Sequence, residues 1–175
     1  MRYVALLRGI NVGGNTMIKM EELRATFEAL GFENVASYIN SGNLAFDSKK
    51  VAEEKLVARI EKAIEKDVGK SIPVMIREQP ALQKILDDNP FDGEFENHKE
   101  MHVLFMRTDM PVEKKDQLRS QQTKNERFEV RDREIYCHLR LGVADSLLGK
   151  GYIDKKLKAQ ITARNWRTVQ KLIDL

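Results

Sequence analysis

A single cysteine, Cys137, rules out a disulfide framework. No apolar run approaches the length of a membrane-spanning helix, and no signal-like start opens the chain. With seven methionines, these absences point to a reducing, cytoplasmic setting with no membrane partner. The common catalytic arrangements are missing too: there is no CxxC, no serine–histidine pairing and no paired-carboxylate site. His98 and His102 are four apart but flank a strand start rather than share a helix face, so no metal and no cofactor are implied. The ribonucleoprotein pattern is absent, and Tyr3, Tyr38 and Phe46 are as well explained as core. Cys137, set between Ile135 and Leu139 in EIYCHL, reads as a buried core residue. No reaction follows from what remains.

What is present is concentrated in residues 3–16, YVALLRGINVGGNT, which contain no acidic residue. An apolar run of this kind predicts a strand buried on both faces, ending at Arg8. Gly9, Gly13 and Gly14 can take positive φ, so successive N–H groups can turn into an anion-cupping concavity. Asn11 and Asn15 add side-chain amides. A plain long turn, with glycines for geometry and Asx turns for its own backbone, is the competing reading. GINVGGNT is one residue from a phosphate-loop pattern, with Asn15 where the phosphate-binding lysine belongs, so a working NTPase loop is excluded.

With 42% hydrophobic and 33% charged residues over 175 positions, the chain reads as one medium domain or two small ones sharing a core. Leu23, Phe27 and Leu30 predict a helix stopped by Gly31; VASYI and NLAF pair as strands across Asn40-Ser41-Gly42. Leu56, Val57, Ile60, Ile64 and Val68 stripe a helix over roughly 50–68, and PVMIR (73–77) is a fourth strand. Pro80 opens a short helix, and the acidic stretch to about 100 reads as a linker. The pattern then restarts: HVLFMR (102–107) echoes YVALLR, Pro111 opens a helix, and FEV pairs with EIYCHL across Asp132-Arg133. The fold class expected is α+β, two ferredoxin-like (βαββαβ) halves in tandem, the second lacking its last strand and closed by a C-terminal helix. The divisions are 1–78, a connector at 79–99, and 100–175.

In such a sheet the third strand runs antiparallel beside the first, bringing Arg8 next to Ser41, Gly42 and Asn43. Taken alone, that triplet is better read as a plain hairpin turn. Thr162 reads as the N-cap of the closing helix, with Ala163 and Arg164 in its first turn and Asn165 and Trp166 following. Packing of that helix is expected to bring Arg164 and Asn165 toward the N-terminal loop. The region from 149 onward holds seven bases (Lys150, Lys155, Lys156, Lys158, Arg164, Arg167, Lys171) against Asp154 and Asp174. That is +5 of a total of +3, leaving −2 elsewhere. Such a tail suits phosphate or nucleic acid, or is simply a solvated face.

The runs RGINVGGN, MEELRATFEALGFENVASYINSGNLAF, NPF and TARNWRTVQKL resemble the bacterial family catalogued as domain of unknown function 1697. The resemblance implies two ferredoxin-like halves and a shared polar signature, with no established activity. Carried over by position, the signature comprises Arg8, Gly9, Asn11, Gly13, Gly14, Ser41, Gly42, Asn43, Asn89, Pro90, Arg164, Asn165 and Trp166. Ala163 departs from it where a second hydroxyl residue is expected. The function expected is binding of a small ligand with an anionic group, such as phosphate, by Arg8, Gly9, Asn11, Gly13, Gly14, Asn15, Ser41, Asn43, Arg164 and Asn165. The alternative is a nucleic-acid-binding module using the basic C-terminus.

Overall fold

A computed structural model of the chain describes residues 1–175. Strand β1 (Arg2–Leu7) is buried from Tyr3 to Leu7, as an apolar run without polar alternation requires. Tyr3, Ala5 and Leu7 join a core with helices α1 (Met20–Ala29) and α2 (Glu53–Val68), while Val4 and Leu6 are buried on the opposite face of the sheet. Strands β2 (Glu33–Tyr38), β3 (Asn43–Asp47) and β4 (Val74–Glu78) complete a sheet of order β2-β3-β1-β4, every neighbour antiparallel. The α2 stripe Leu56, Val57, Ile60 and Ile64 is buried, and Gly69 ends that helix in the left-handed conformation. Phe46 anchors the core: Phe32 stacks on it at 4.4 Å and Phe27 meets it edge-on at 5.4 Å. Helix α3 (Gln79–Asp87) follows β4 directly. Met1–Lys84, together with Lys171–Leu175, make the first of two compact units. Arg2 Nε donates to the Leu175 carbonyl (3.1 Å) and Gln79 Nε2 to that of Leu172 (3.1 Å), so the last residues of the chain are fixed there.

The second unit, Ile85–Gln170, has the same order of elements. Its strands are β5 (Met101–Met106), β6 (Glu126–Arg131), β7 (Glu134–Leu139) and β8 (Ile161–Asn165), its helices α4 (Val112–Ser120), α5 (Tyr152–Lys155) and, as far as Gln170, α6 (Trp166–Leu172). The sheet order is β6-β7-β5-β8, again antiparallel throughout. Matching elements start between 87 residues apart (Val74 to Ile161) and 99 apart (Arg2 to Met101).

This corrects one expectation. The second sheet is complete, and residues 161–165 supply its last strand rather than opening a helix. Ile161 lies opposite Met106 and Ala163 opposite Leu104 on the core side, with Thr162 and Arg164 buried on the other. Thr162 is therefore no helix cap. That role falls to Asn165, whose Oδ1 accepts from Thr168 N–H at 2.9 Å, with Trp166 as the first helical residue. A hydroxyl three residues ahead of an apolar run mimics a cap; the period-2 alternation of five residues is the signal that outweighs it.

Residues 88–100, acidic and linker-like in composition, are packed. Phe91 is buried, the Arg127 guanidinium lies 4.7 Å over its ring and also pairs with Glu94, and Phe95 meets Trp166 edge-on at 5.9 Å. Aromatic anchors and an arginine lid hold a segment that charge count alone describes as loose.

Candidate functional site

The connection from β1 to α1 is a small hairpin of its own. Asn11 N–H donates to the Thr16 carbonyl (3.1 Å) and Asn15 N–H to that of Val12 (3.1 Å), with Gly13 and Gly14 between them at φ +60° and +76°. Two central residues of positive φ are what a type I′ turn demands, and only glycine takes both without strain. The N–H groups of Gly13 and Gly14 stand at the exposed tip, and nothing in the chain accepts from them.

The Asn11 side chain holds this hairpin down. Its Oδ1 accepts from Ile18 N–H (2.7 Å), and its two amide protons go to the carbonyls of Ile18 (2.9 Å) and Asn40 (2.7 Å). Both donors are thereby used within the chain, so Asn11 frames the loop. The bond to Asn40 ties the loop to the turn between β2 and β3, the juxtaposition the topology calls for. Leu6 lies opposite Asn43, and Leu7 N–H donates to the Gly42 carbonyl at 2.8 Å. Arg8, half-buried, continues from the strand end with its N–H on the Pro73 carbonyl (3.0 Å).

In the turn itself, the buried Asn43 donates both amide protons, to the Tyr38 carbonyl and to Ser41 Oγ, each at 2.9 Å. Ser41 and Asn43 thus brace one another. Gly42 has no alternative: at φ +85°, an added Cβ would meet Leu7 Cβ at 2.7 Å and Ile10 Cδ1 at 2.9 Å. Gly9 also has positive φ, with open space around it.

A cleft of about 680 Å³ opens beside the hairpin, with Asn11, Asn40, Met17, Lys19 and Met20 in its lining. Sequence reasoning missed the exposed apolar side chains of the loop and of the turn bonded to it. Val12, Met17 and Ile39 are 63%, 70% and 51% exposed, and Ile39 takes φ +48°. A β-branched residue in that region is a strained one. No periodicity in the sequence marks it, because the turn after Tyr38 reads the same whichever residue carries the positive φ.

Arg164 and Asn165 lie in the second unit. Arg164 is buried on β8, its Nη1 donating to Thr162 Oγ1 and to the Ala163 carbonyl, both at 2.8 Å. Burial brings its pKa down to about 10, which leaves it charged at neutral pH. In that unit burial also pushes the Cys137 thiol up and keeps it inert. Asn89 closes an Asx turn onto Phe91 N–H (3.0 Å). His102 is held down at about pKa 4, by burial first and by His98 second. No group of three or more potential metal ligands exists, and no helix is long and apolar enough to cross a membrane.

Residues 1–136 match the model of a protein family of unknown function, DUF1697. The chain belongs to that family. The matched region takes in the hairpin loop, the 39–43 turn and Asn89-Pro90-Phe91, whereas β8 with Arg164 and Asn165 falls beyond it. The chain is also similar in nearly its whole length to a solved structure, that of the conserved bacterial protein SP0830 from Streptococcus pneumoniae. The two share 26% identity over 99% of this chain and 97% of that one, with a TM-score of 0.79. No curated protein matches the chain.

Proposed function

We propose that this DUF1697 protein binds a small ligand carrying an anionic group, phosphate foremost, at the loop after β1. One observation carries the reading: the adjacent N–H groups of Gly13 and Gly14 have no acceptor in the chain, in a loop that Asn11 fixes to the Asn40 turn. Preset donors lose little freedom on binding, so even two amides and one cation select an anion. Arg8, Asn15 and Gly9 join the glycine amides as the contact set, while Asn11, Ser41 and Asn43 are the frame. Each unit reads as a ferredoxin-like half, in keeping with its β-α-β-β-α-β order and strand neighbours. A cytoplasmic setting fits Cys137 as a buried free thiol.

The test is thermal unfolding with and without inorganic phosphate, for the native chain and Arg8→Ala. Phosphate should raise the native Tm through mass action. Arg8→Ala should lose the phosphate effect, since a charge-assisted hydrogen bond contributes about 1.5–3 kcal/mol of binding. Absence of any phosphate effect in the native chain refutes the reading.

A second reading has its own observation: Lys150, Lys155, Lys156 and Lys158 are all exposed around α5. A nucleic-acid partner there would give log affinity falling steeply with log salt, by roughly 0.7–0.9 per phosphate contact. One bound phosphate at the loop gives a shallow slope.

A further inference from the structure

Seven large hydrophobic residues are exposed on the whole chain, and three of them, Val12, Met17 and Ile39, belong to the hairpin loop and the turn bonded to it. Scattered single hydrophobics need no explanation; three on one polar loop and the turn bonded to it, with Met17 lining the adjacent cleft, mark a contact surface. Ile39 makes the point sharper. Its φ of +48° suits asparagine or glycine, and its side chain is half exposed, so neither backbone preference nor core packing accounts for isoleucine there.

Charge decides what such a surface accepts. Residues 3–20 contain Arg8 and Lys19 and no acid, whereas Glu21 and Glu22, in the first turn of α1, also line the cleft. An anionic group is favoured at the hairpin tip and repelled at the α1 end. The apolar side chains Met17 and Met20 line the cleft itself. We infer that the ligand is amphipathic: an anionic group on an aromatic or hydrocarbon body, the anion at Gly13 and Gly14, the body across Met17 and Ile39. This rests on the anion-binding reading and narrows it to organic monoesters and related compounds, with inorganic phosphate as the weaker binder. The cleft, at about 680 Å³, falls in the range of small-molecule sites.

Titration calorimetry with two probes, inorganic phosphate and phenyl phosphate, tests the inference on the native chain, Ile39→Asn and Met17→Ser. The native chain should bind phenyl phosphate roughly tenfold more tightly than phosphate, the gain from covering part of one ring. Each variant should bring the two affinities toward parity while leaving that for phosphate unchanged. Ile39→Asn relieves backbone strain and should melt higher than the native chain, so its weaker phenyl phosphate binding could not be ascribed to misfolding. Equal affinity of the native chain for both probes overturns the apolar seat and leaves the anion site standing. A phenyl phosphate preference that survives both substitutions also overturns it. If neither probe binds, the anion site fails and this inference with it.

Discussion

Replacing Gly42 by alanine isolates the geometry on which the candidate site stands. Two penalties act together. The backbone sits at φ +85°, where an L side chain costs about 1–2 kcal/mol. The new methyl would lie 2.7 Å from Leu7 Cβ and 2.9 Å from Ile10 Cδ1. The tip of Ile10 can swing aside, but Leu7 Cβ is fixed to a central strand. Moving strand and turn apart stretches the 2.8 Å bond from Leu7 N–H to the Gly42 carbonyl. Overpacking of this kind adds about 1–3 kcal/mol. The sum, about 2–5 kcal/mol, corresponds to a drop in Tm of the order of 10 °C for a chain of this size. Gly31→Ala is the control, since Gly31 has φ +81° and nothing within 4 Å of its added Cβ. It should show the backbone penalty alone. Circular dichroism melts of the two variants decide the matter: equal losses of Tm would mean that the turn relaxes freely and that its contact with β1 is not a constraint.

Asn11→Ala should destabilise the chain by about 2–4 kcal/mol, because it removes three hydrogen bonds and leaves alanine at φ +53°; Asn11→Gly should recover the backbone part only, as urea titrations would show. His102 predicts an acid limb. With its folded pKa at about 4 against an ordinary 6.5, the unfolded chain binds the extra proton, so stability is full above about pH 6.5 and falls as pH drops toward 4. The loss is about 3 kcal/mol at most, and His102→Asn should flatten that part of the stability–pH profile.

The strands and helices of the first unit were legible because each obeys one period and ends at a marked residue: Leu23 and Phe27 before Gly31, Ile60 and Ile64 before Gly69. The approach of Arg8 to the 41–43 turn was legible for a different reason, since strand order alone dictates it. Three things were not. Residues 161–165 are short enough that one hydroxyl and one arginine disguise a strand. Residues 88–100 hide two aromatic anchors among acids. The roles of the loop asparagines needed coordinates, because an amide that binds a ligand and one that holds its own backbone have the same sequence. Asn11 and Asn43 prove to be of the second kind, both donors satisfied by the chain itself.

The repeated architecture supplies an internal comparison that separates what the fold needs from what the first unit adds. Equivalent bonds recur. Arg8 N–H donates to Pro73 (3.0 Å) as Arg107 N–H does to Gln160 (3.2 Å), and Leu7 N–H to Gly42 (2.8 Å) as Met106 N–H does to Arg133 (2.9 Å). Arg77 and Arg164, buried at matching places on β4 and β8, each donate Nη1 to the preceding carbonyl at 2.8 Å. An arginine at the end of the first strand is therefore a feature of both copies, and its presence says little on its own. The connection that follows is different: residues 107–111 carry β5 to α4, whereas 8–19 carry β1 to α1. A crossover of the same kind is made by the shorter segment, so the longer one is not required by topology. Extra loop length carries an entropic cost that rises slowly but never favours folding. The glycine tip, the Asn11 clamp and the exposed Val12 and Met17 all lie within the added stretch, outside the features the two units share.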